Sequence, residues 1–255
     1  MDIHTYKEIY DKLDSSNIKS ISQDFEVSGD VLTCILNQKM LRSNKTLYHR
    51  VANNSKALLE RWEEGEPFAT LSAETGLSPV LIASILLKHR GMTRKVVQKM
   101  LKNPGAVEDK RLRREIAEVI KGDNLFSPRA HSLQTERARK CEEGIGTWLK
   151  EKDITFLTED EIKKYASTKT PDFLLKSPLD INSTRITWIE SKGLFGDVEE
   201  HRRYLKKQFS EYIKFFGAGM VVYWYGFVDL LQEENSEILV RDSTYFGVDN
   251  AEYIQ

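Results

Sequence analysis

Thr170-Pro171-Asp172-Phe173-Leu174-Leu175, followed by Ile186-Thr187-Trp188-Ile189-Glu190-Ser191-Lys192, decides the fold of this 255-residue chain. Each segment joins an apolar run to a charged cluster. An acid that opens one strand and a Glu-x-Lys that closes the next can hold a divalent metal against a phosphodiester. Phosphodiesters resist attack because their own charge repels nucleophiles, and hard oxygen ligands around Mg²⁺ or Mn²⁺ overcome that repulsion. Side chains at i and i+2 of a strand share a face, so Glu190 and Lys192 project together and Ile189 and Ser191 project the other way. Lys192 would orient the attacking water and stabilise charge on the phosphorus centre. Pro171 is tolerable at a strand's first position.

The surrounding pattern is that of a mixed sheet. Strands are predicted over 154–157, 172–176 and 186–191, the last two joined by the polar connection 177–184. Residues 220–225 form a continuous apolar run, as in a strand covered on both faces, and 238–240 adds an edge strand. A helix over 134–151 precedes the strands. On it Glu142, Ile145 and Leu149 fall at i, i+3 and i+7, a single stripe that must face the sheet. Glu143 is turned roughly 100° away, so Glu142 is the choice for a third metal carboxylate beside Asp172 and Glu190. An amphipathic helix over 199–216 carries Gln208 and Tyr212 four apart on one face. Both can bond to phosphate or to the catalytic shell, and Tyr212 can equally be plain core. Arg202, Arg203, Lys206 and Lys207 either track a nucleic-acid backbone or form a solvated helix face.

The first half reads as helical and repeats itself fifty positions apart. Ile21-Ser22 aligns with Leu71-Ser72, Val27-Ser28 with Leu77-Ser78, and Ile35-Leu36 with Ile85-Leu86. The second copy has helix-turn-helix spacing. Ser72 lets two helices approach, Gly76 takes the left-handed turn, Ser78 caps the next helix and Pro79 starts it. The first copy has Glu26 in place of the turn glycine and is weaker. Such units contact DNA, and they also occur in plain bundles and docking modules. A connecting helix is expected over 47–62, further helices over 94–101 and 108–120, and a linker over 122–128. The chain is thus α+β overall: an all-α region with two helix-turn-helix-like units over 1–125, then an α/β domain with a central mixed sheet over 130–255.

Composition narrows the class. Charged residues make up 30% of the chain and apolar residues 40%, which fits a soluble protein with a core. The net charge of −1 conceals +4 over residues 1–121 and −5 over 122–255. Between Lys88 and Arg114 ten basic residues face only Glu108 and Asp109. That stretch attracts phosphate or is a solvated helix face. Cys34 and Cys141 are too few for a disulfide framework or a zinc cluster, which favours an intracellular protein. No signal peptide is visible. The longest uncharged run, 215–228, is shorter than the roughly 18 residues of a membrane span.

Lys169-Thr170-Pro171-Asp172-Phe173, Trp188-Ile189-Glu190-Ser191-Lys192 with Phe195-Gly196-Asp197, and Val222-Tyr223-Trp224-Tyr225-Gly226-Phe227 resemble the codanin-interacting nuclease family. This family is also described as the TPD domain and is part of the PD-(D/E)XK superfamily of restriction enzymes and Holliday-junction resolvases. The similarity is strong over roughly 142–228. The resemblance implies a restriction-endonuclease-like, resolvase-like nuclease core that uses Mg²⁺ or Mn²⁺. Its substrate would be DNA ahead of RNA, structured or branched. It also implies a codanin-like protein partner, a nuclear and cytoplasmic location, and a homodimer where two strands are cut. By motif position Asp172, Glu190 and Lys192 carry over as the active site, with Glu142 as the helix carboxylate and none substituted here. Two other classes compete. One is a catalytically silent nuclease-fold scaffold that binds a protein and nucleic acid; the other is a transcription regulator acting through residues 1–121.

Overall fold

Thr170-Pro171-Asp172 and Glu190-Ser191-Lys192 flank the middle of a five-stranded sheet. The computed structural model describes residues 1–165, 167–182 and 184–247. The helical half comprises α1 (Ile3–Lys12), α2 (Ile18–Phe25), α3 (Gly29–Asn53), α4 (Ser55–Glu64), α5 (Phe68–Thr75), α6 (Pro79–His89), α7 (Arg94–Lys102) and α8 (Lys110–Lys121). The long α9 (Pro128–Glu151) leads to β1 (Phe156–Thr158), α10 (Glu159–Ile162), β2 (Phe173–Ile181) and β3 (Thr184–Lys192). Then follow α11 (Val198–Tyr204), a π-helical turn (Leu205–Phe209), α12 (Ser210–Phe216), β4 (Gly219–Tyr223), α13 (Leu231–Glu234) and β5 (Ile238–Arg241). No single described helix is long and apolar enough to cross a membrane.

Strand order follows chain order, β1 to β5. The pairs β1–β2 and β2–β3 are antiparallel, and β3–β4 and β4–β5 are parallel, so the sheet is mixed. The two-residue period sorts its faces. Trp188, Val221, Tyr223 and Val240 pack with Phe209 and Tyr212 on one side. Ile189, Met220, Val222 and Trp224 pack with Ile145 and Leu149 of α9 on the other. Every residue of β4 is buried, as its unbroken apolar run requires. Gly219 permits the closest approach in this layer: a Cβ there would lie 2.0 Å from the Trp188 ring.

The chain divides into two compact units, Met1–Leu36 with Glu136–Gln255, and Asn37–Thr135. This partition differs from the expected break between 125 and 130. Tyr6, Ile9, Leu13, Ile21, Leu32 and Ile35 share a core with α9 and the sheet, so the first helical repeat is built into the α/β unit. The Met1 ammonium ties the chain start to that unit by donating to the Phe227 carbonyl at 3.1 Å and to Asp229 at 2.8 Å. The expected linker is a structured turn, because Asp123 Oδ2 accepts from the backbone N–H groups of Leu125, Phe126 and Ser127. The helix expected over 47–62 is the end of α3 plus α4.

Within the second unit α5 and α6 meet at 112° across Gly76-Leu77-Ser78, with Gly76 left-handed at φ 73°. The turn is braced differently from expectation. Ser72 Oγ donates to the Leu77 carbonyl at 2.7 Å, and Ser78 makes no capping bond with its side chain. Its N–H is held by Asn44 Oδ1 at 2.7 Å. In the first repeat Glu26 ends α2 in the same left-handed region at φ 54°, so the missing glycine does not abolish the turn.

A buried carboxylate organises the second unit. Glu115 is 3% exposed. Its Oε2 accepts from Trp62 Nε1 at 2.9 Å and Phe68 N at 3.2 Å, and its Oε1 from Arg111 Nε at 2.7 Å. Arg111 also donates to the Trp62 and Glu66 carbonyls. Removing one member of such a satisfied network leaves the others unpaired in low dielectric. Glu115→Ala is expected to destabilise this unit by about 3 kcal/mol in urea denaturation. Arg61→Ala, which breaks surface ion pairs to Glu66 and Glu74, should leave the denaturation midpoint close to that of wild type.

Candidate active site

Register brings the two acids together. Phe173 pairs with Ile189 and Leu174 with Trp188. Extending the ladder by one residue sets Asp172 across from Glu190. The carboxylates are bonded to the opposing backbone: Asp172 N–H donates to Glu190 Oε2 at 3.2 Å, and Ser191 N–H donates to Asp172 Oδ2 at 2.7 Å. Lys192 Nζ donates to Glu190 Oε1 at 2.5 Å, as the shared strand face dictates. Ser191 faces the other way, where its hydroxyl accepts from Trp224 Nε1.

The surroundings are poor in water. Glu190 is 3% exposed, and burial, followed by the charge of Asp172, pushes its pKa up to about 7. Burial likewise raises Asp172, against the Ser191 bond and Lys192, which lower it. On α9, Ile145 and Leu149 are fully buried, and Glu142 lies near enough to sense the site. Desolvation, then Asp172 and Glu159, raise its pKa to about 7, although the residue as a whole is solvent-exposed. Glu143 instead pairs with Arg139 on the exposed side of α9.

Two residues legible only in three dimensions join the cluster. Glu159 opens α10, donates its N–H to the Asp172 carbonyl at 3.0 Å and adds negative charge beside Asp172 and Glu142. Lys163 answers it at 2.7 Å. Thr158 and Glu161 form a capping box, the one sequence signal that marks this turn. Tyr204 lies under Lys192, its ring centre 4.5 Å from Lys192 Nζ.

The helix after the site is not continuous. The π turn over Leu205–Phe209 separates α11 from α12 and carries Gln208. Gln208 Oε1 is buried without a hydrogen-bond partner, and among the described residues no bond joins Gln208 to the acids. Tyr212 is 2% exposed and packs edge-on against Trp188. Its hydroxyl donates to the Thr170 carbonyl at 2.8 Å, so it anchors the turn that presents Asp172. Lys207, of the basic residues on this helix, receives through its carbonyl a bond from Lys169. Arg202 and Arg203 are engaged by Glu234 and Glu200.

Among the described residues, no three His, Cys, Asp or Glu side chains are gathered so as to hold a metal ion. Asp172, Glu190 and Glu142 therefore do not stand as a ready three-ligand set. The cause is visible: Glu190 Oε1 is turned to Lys192 and Asp172 Oδ2 to a backbone N–H. The donor chemistry nonetheless suits a hard cation. Two hydrogen-bonded carboxylates meet in a desolvated place, three acids have raised pKa values, and Mg²⁺ commonly uses one or two carboxylates plus water.

A family described as "Protein of unknown function TPD sequence-motif" matches residues 108–244, more than half of the chain. The chain belongs to this TPD family. Curated relatives of the TPD chain are named CDAN1-interacting nuclease 1. The Bos taurus protein is 34% identical over 63% of this chain and 60% of its own length. The Homo sapiens protein is 32% identical over 63% and 60%, and the Danio rerio protein 31% identical over 68% and 60%. The TPD chain thus spans about 60% of the length of these relatives. No solved structure matches it.

The raised acids set a pH dependence. Glu190 and Glu142 keep protons in the folded chain that the unfolded chain releases above its ordinary value of 4.5. Stability of the metal-free TPD chain should therefore fall as pH rises from 4.5 to about 7 and level off above it. Urea denaturation across that range checks this, and Glu190→Gln should flatten the slope.

Proposed function

We propose that this chain is a divalent-metal-dependent nuclease that hydrolyses phosphodiester bonds of nucleic acid, DNA ahead of RNA. One observation carries the reading: Asp172 and Glu190 face each other at the ends of adjacent strands with the Lys192 ammonium on the Glu190 carboxylate. The names of the relatives support it, since they are called nucleases.

Asp172 and Glu190 would hold Mg²⁺ or Mn²⁺, with Glu142 adding charge from α9. When bound, the cation supplies neutralisation of the phosphate and acidifies a coordinated water. The protein's own groups do the rest. Lys192 would donate to the phosphate oxygen where charge builds. The Tyr204 ring limits where that ammonium can move. Tyr212 holds the Thr170 carbonyl and thereby Asp172 in register, which makes it a positioning residue. Gln208 has an unused acceptor, Oε1, for a donor on water or substrate. The relatives' name also suggests a codanin-like protein partner for this chain.

A second reading, a scaffold that keeps the fold without cleavage, is favoured by the engagement of the Asp172 and Glu190 carboxylates with the Ser191 N–H and the Lys192 ammonium. Labelled branched, duplex and single-stranded substrates with Mg²⁺ or Mn²⁺ separate the two. Wild type is expected to cleave at least one of them. Asp172→Ala and Lys192→Ala should each lose roughly 10²–10³-fold or more, the scale of one electrostatic donor. Tyr212→Phe should lose less, since its ring remains packed. Cleavage that survives both Asp172→Ala and Lys192→Ala would refute the site; none by wild type would leave the scaffold.

A further inference from the structure

The most basic helix of the chain borders an apolar cleft. In α7 four cations, Arg94, Lys95, Lys99 and Lys102, stand on the exposed surface without an acid in the helix. None of the four makes an ion pair among the described residues. Between α7, the turn Pro104–Ala106 and the start of α8 opens a cavity of about 480 Å³. Met92, Val96, Met100, Val107 and Leu112 line it. Val96 is 42% exposed, one of the few large apolar side chains so open to water. Arg90 and Lys99 stand on the same lining, and Glu108 and Asp109 also border it. Asp109 is partly committed, since its Oδ1 caps α8 through Leu112 N–H at 2.9 Å.

We propose that this cleft receives a short acidic, amphipathic segment of a partner protein. A bulky apolar side chain of that segment would fill the space between Met92, Val96 and Met100, and its carboxylates would meet the cations of α7. Flexible thioethers suit a groove that moulds itself to an inserted side chain. The charges argue for a peptide over other anions. A nucleic-acid backbone would satisfy the cations but leave the apolar floor uncovered. Nor does the lining hold an aromatic ring on which a base could stack. Glu108 and Asp109 repel a phosphate or an anionic membrane surface, whereas a peptide can turn N–H groups or a basic side chain toward them. An amphipathic helix with anchors at i, i+3, i+4 and i+7 is the familiar occupant of such a groove. The inference does not rest on the nuclease reading, because no residue of the acid site takes part.

The test uses the full chain and fluorescent synthetic peptides. Each carries Leu or Phe at i, i+3, i+4 and i+7 and Asp or Glu elsewhere; controls replace the acids by Lys or the anchors by Ser. A short DNA duplex and phosphatidylserine vesicles are titrated in parallel. Acidic amphipathic peptides should bind in a salt-sensitive manner, and both controls should not. Val96→Glu should weaken binding by about tenfold or more, as for a desolvated anchor, and so should Lys95→Glu combined with Lys99→Glu. Both variants lie on exposed positions, and their thermal melting should match wild type. The proposal is overturned if the acidic peptides bind no better than the Lys controls, or bind the variants as tightly as wild type. It is also overturned if DNA or vesicles bind at Val96 and Lys99 more tightly than any peptide.

Discussion

A single contact, the Lys192 ammonium 2.5 Å from the Glu190 carboxylate, holds the candidate site in its present state. Both groups sit where water is scarce, and a charge there is costly unless paired. Lys192 bonds to Glu190 and lowers Asp172 and Glu142 only through its charge. Asp172, Glu142 and Glu159 add negative charge, of which Lys163, paired with Glu159, offsets a part. Burial is the first cause of the raised pKa values of Glu190, Asp172 and Glu142, and the excess of neighbouring carboxylates adds to it. The rest of the α/β unit keeps it from dispersing. The β2–β3 register sets Asp172 opposite Glu190, Tyr212 holds the turn before Asp172, and Trp188 packs beneath. A divalent cation is the species that such a deficit suits.

The two halves solve the problem of buried charge differently. In the second unit Glu115 has every oxygen satisfied, by Trp62, Phe68 and Arg111, so that its charge serves the fold. Near the strand ends the acids outnumber their partners, and Gln208 keeps an orphaned oxygen on a π turn. Satisfied networks specify structure. Unsatisfied ones cluster where a ligand is meant to complete them, and π turns recur at such places.

Much of the site was legible because it rests on local rules. The two-residue period of a strand puts Glu190 beside Lys192 and Ser191 behind them, and the helical stripe through Ile145 and Leu149 turns Glu142 rather than Glu143 toward Asp172. Partnerships were not legible. The apolar stripe of α1 and α2 says that a face is buried, not that it is buried against α9 and the sheet, so the domain boundary expected near residue 125 differs from the partition seen. Glu159 and Tyr204 reach the site through the fold alone. The π turn has no composition of its own, and a regular helix was the natural reading of 199–216. Ser78 looked like a cap by position, yet its bonds go to Asn44 and Asp123. Glu26 shows that a left-handed turn can be kept by surrounding packing without glycine.

Calorimetric titration of Mn²⁺ into the wild-type chain and Asp172→Ala, above the pH at which Glu190 and Glu142 ionise, tests the central claim most directly. Saturable binding with release of little or no proton, lost in Asp172→Ala while the fold persists, is the expected result. Equal binding by both proteins, or none by wild type, would contradict it.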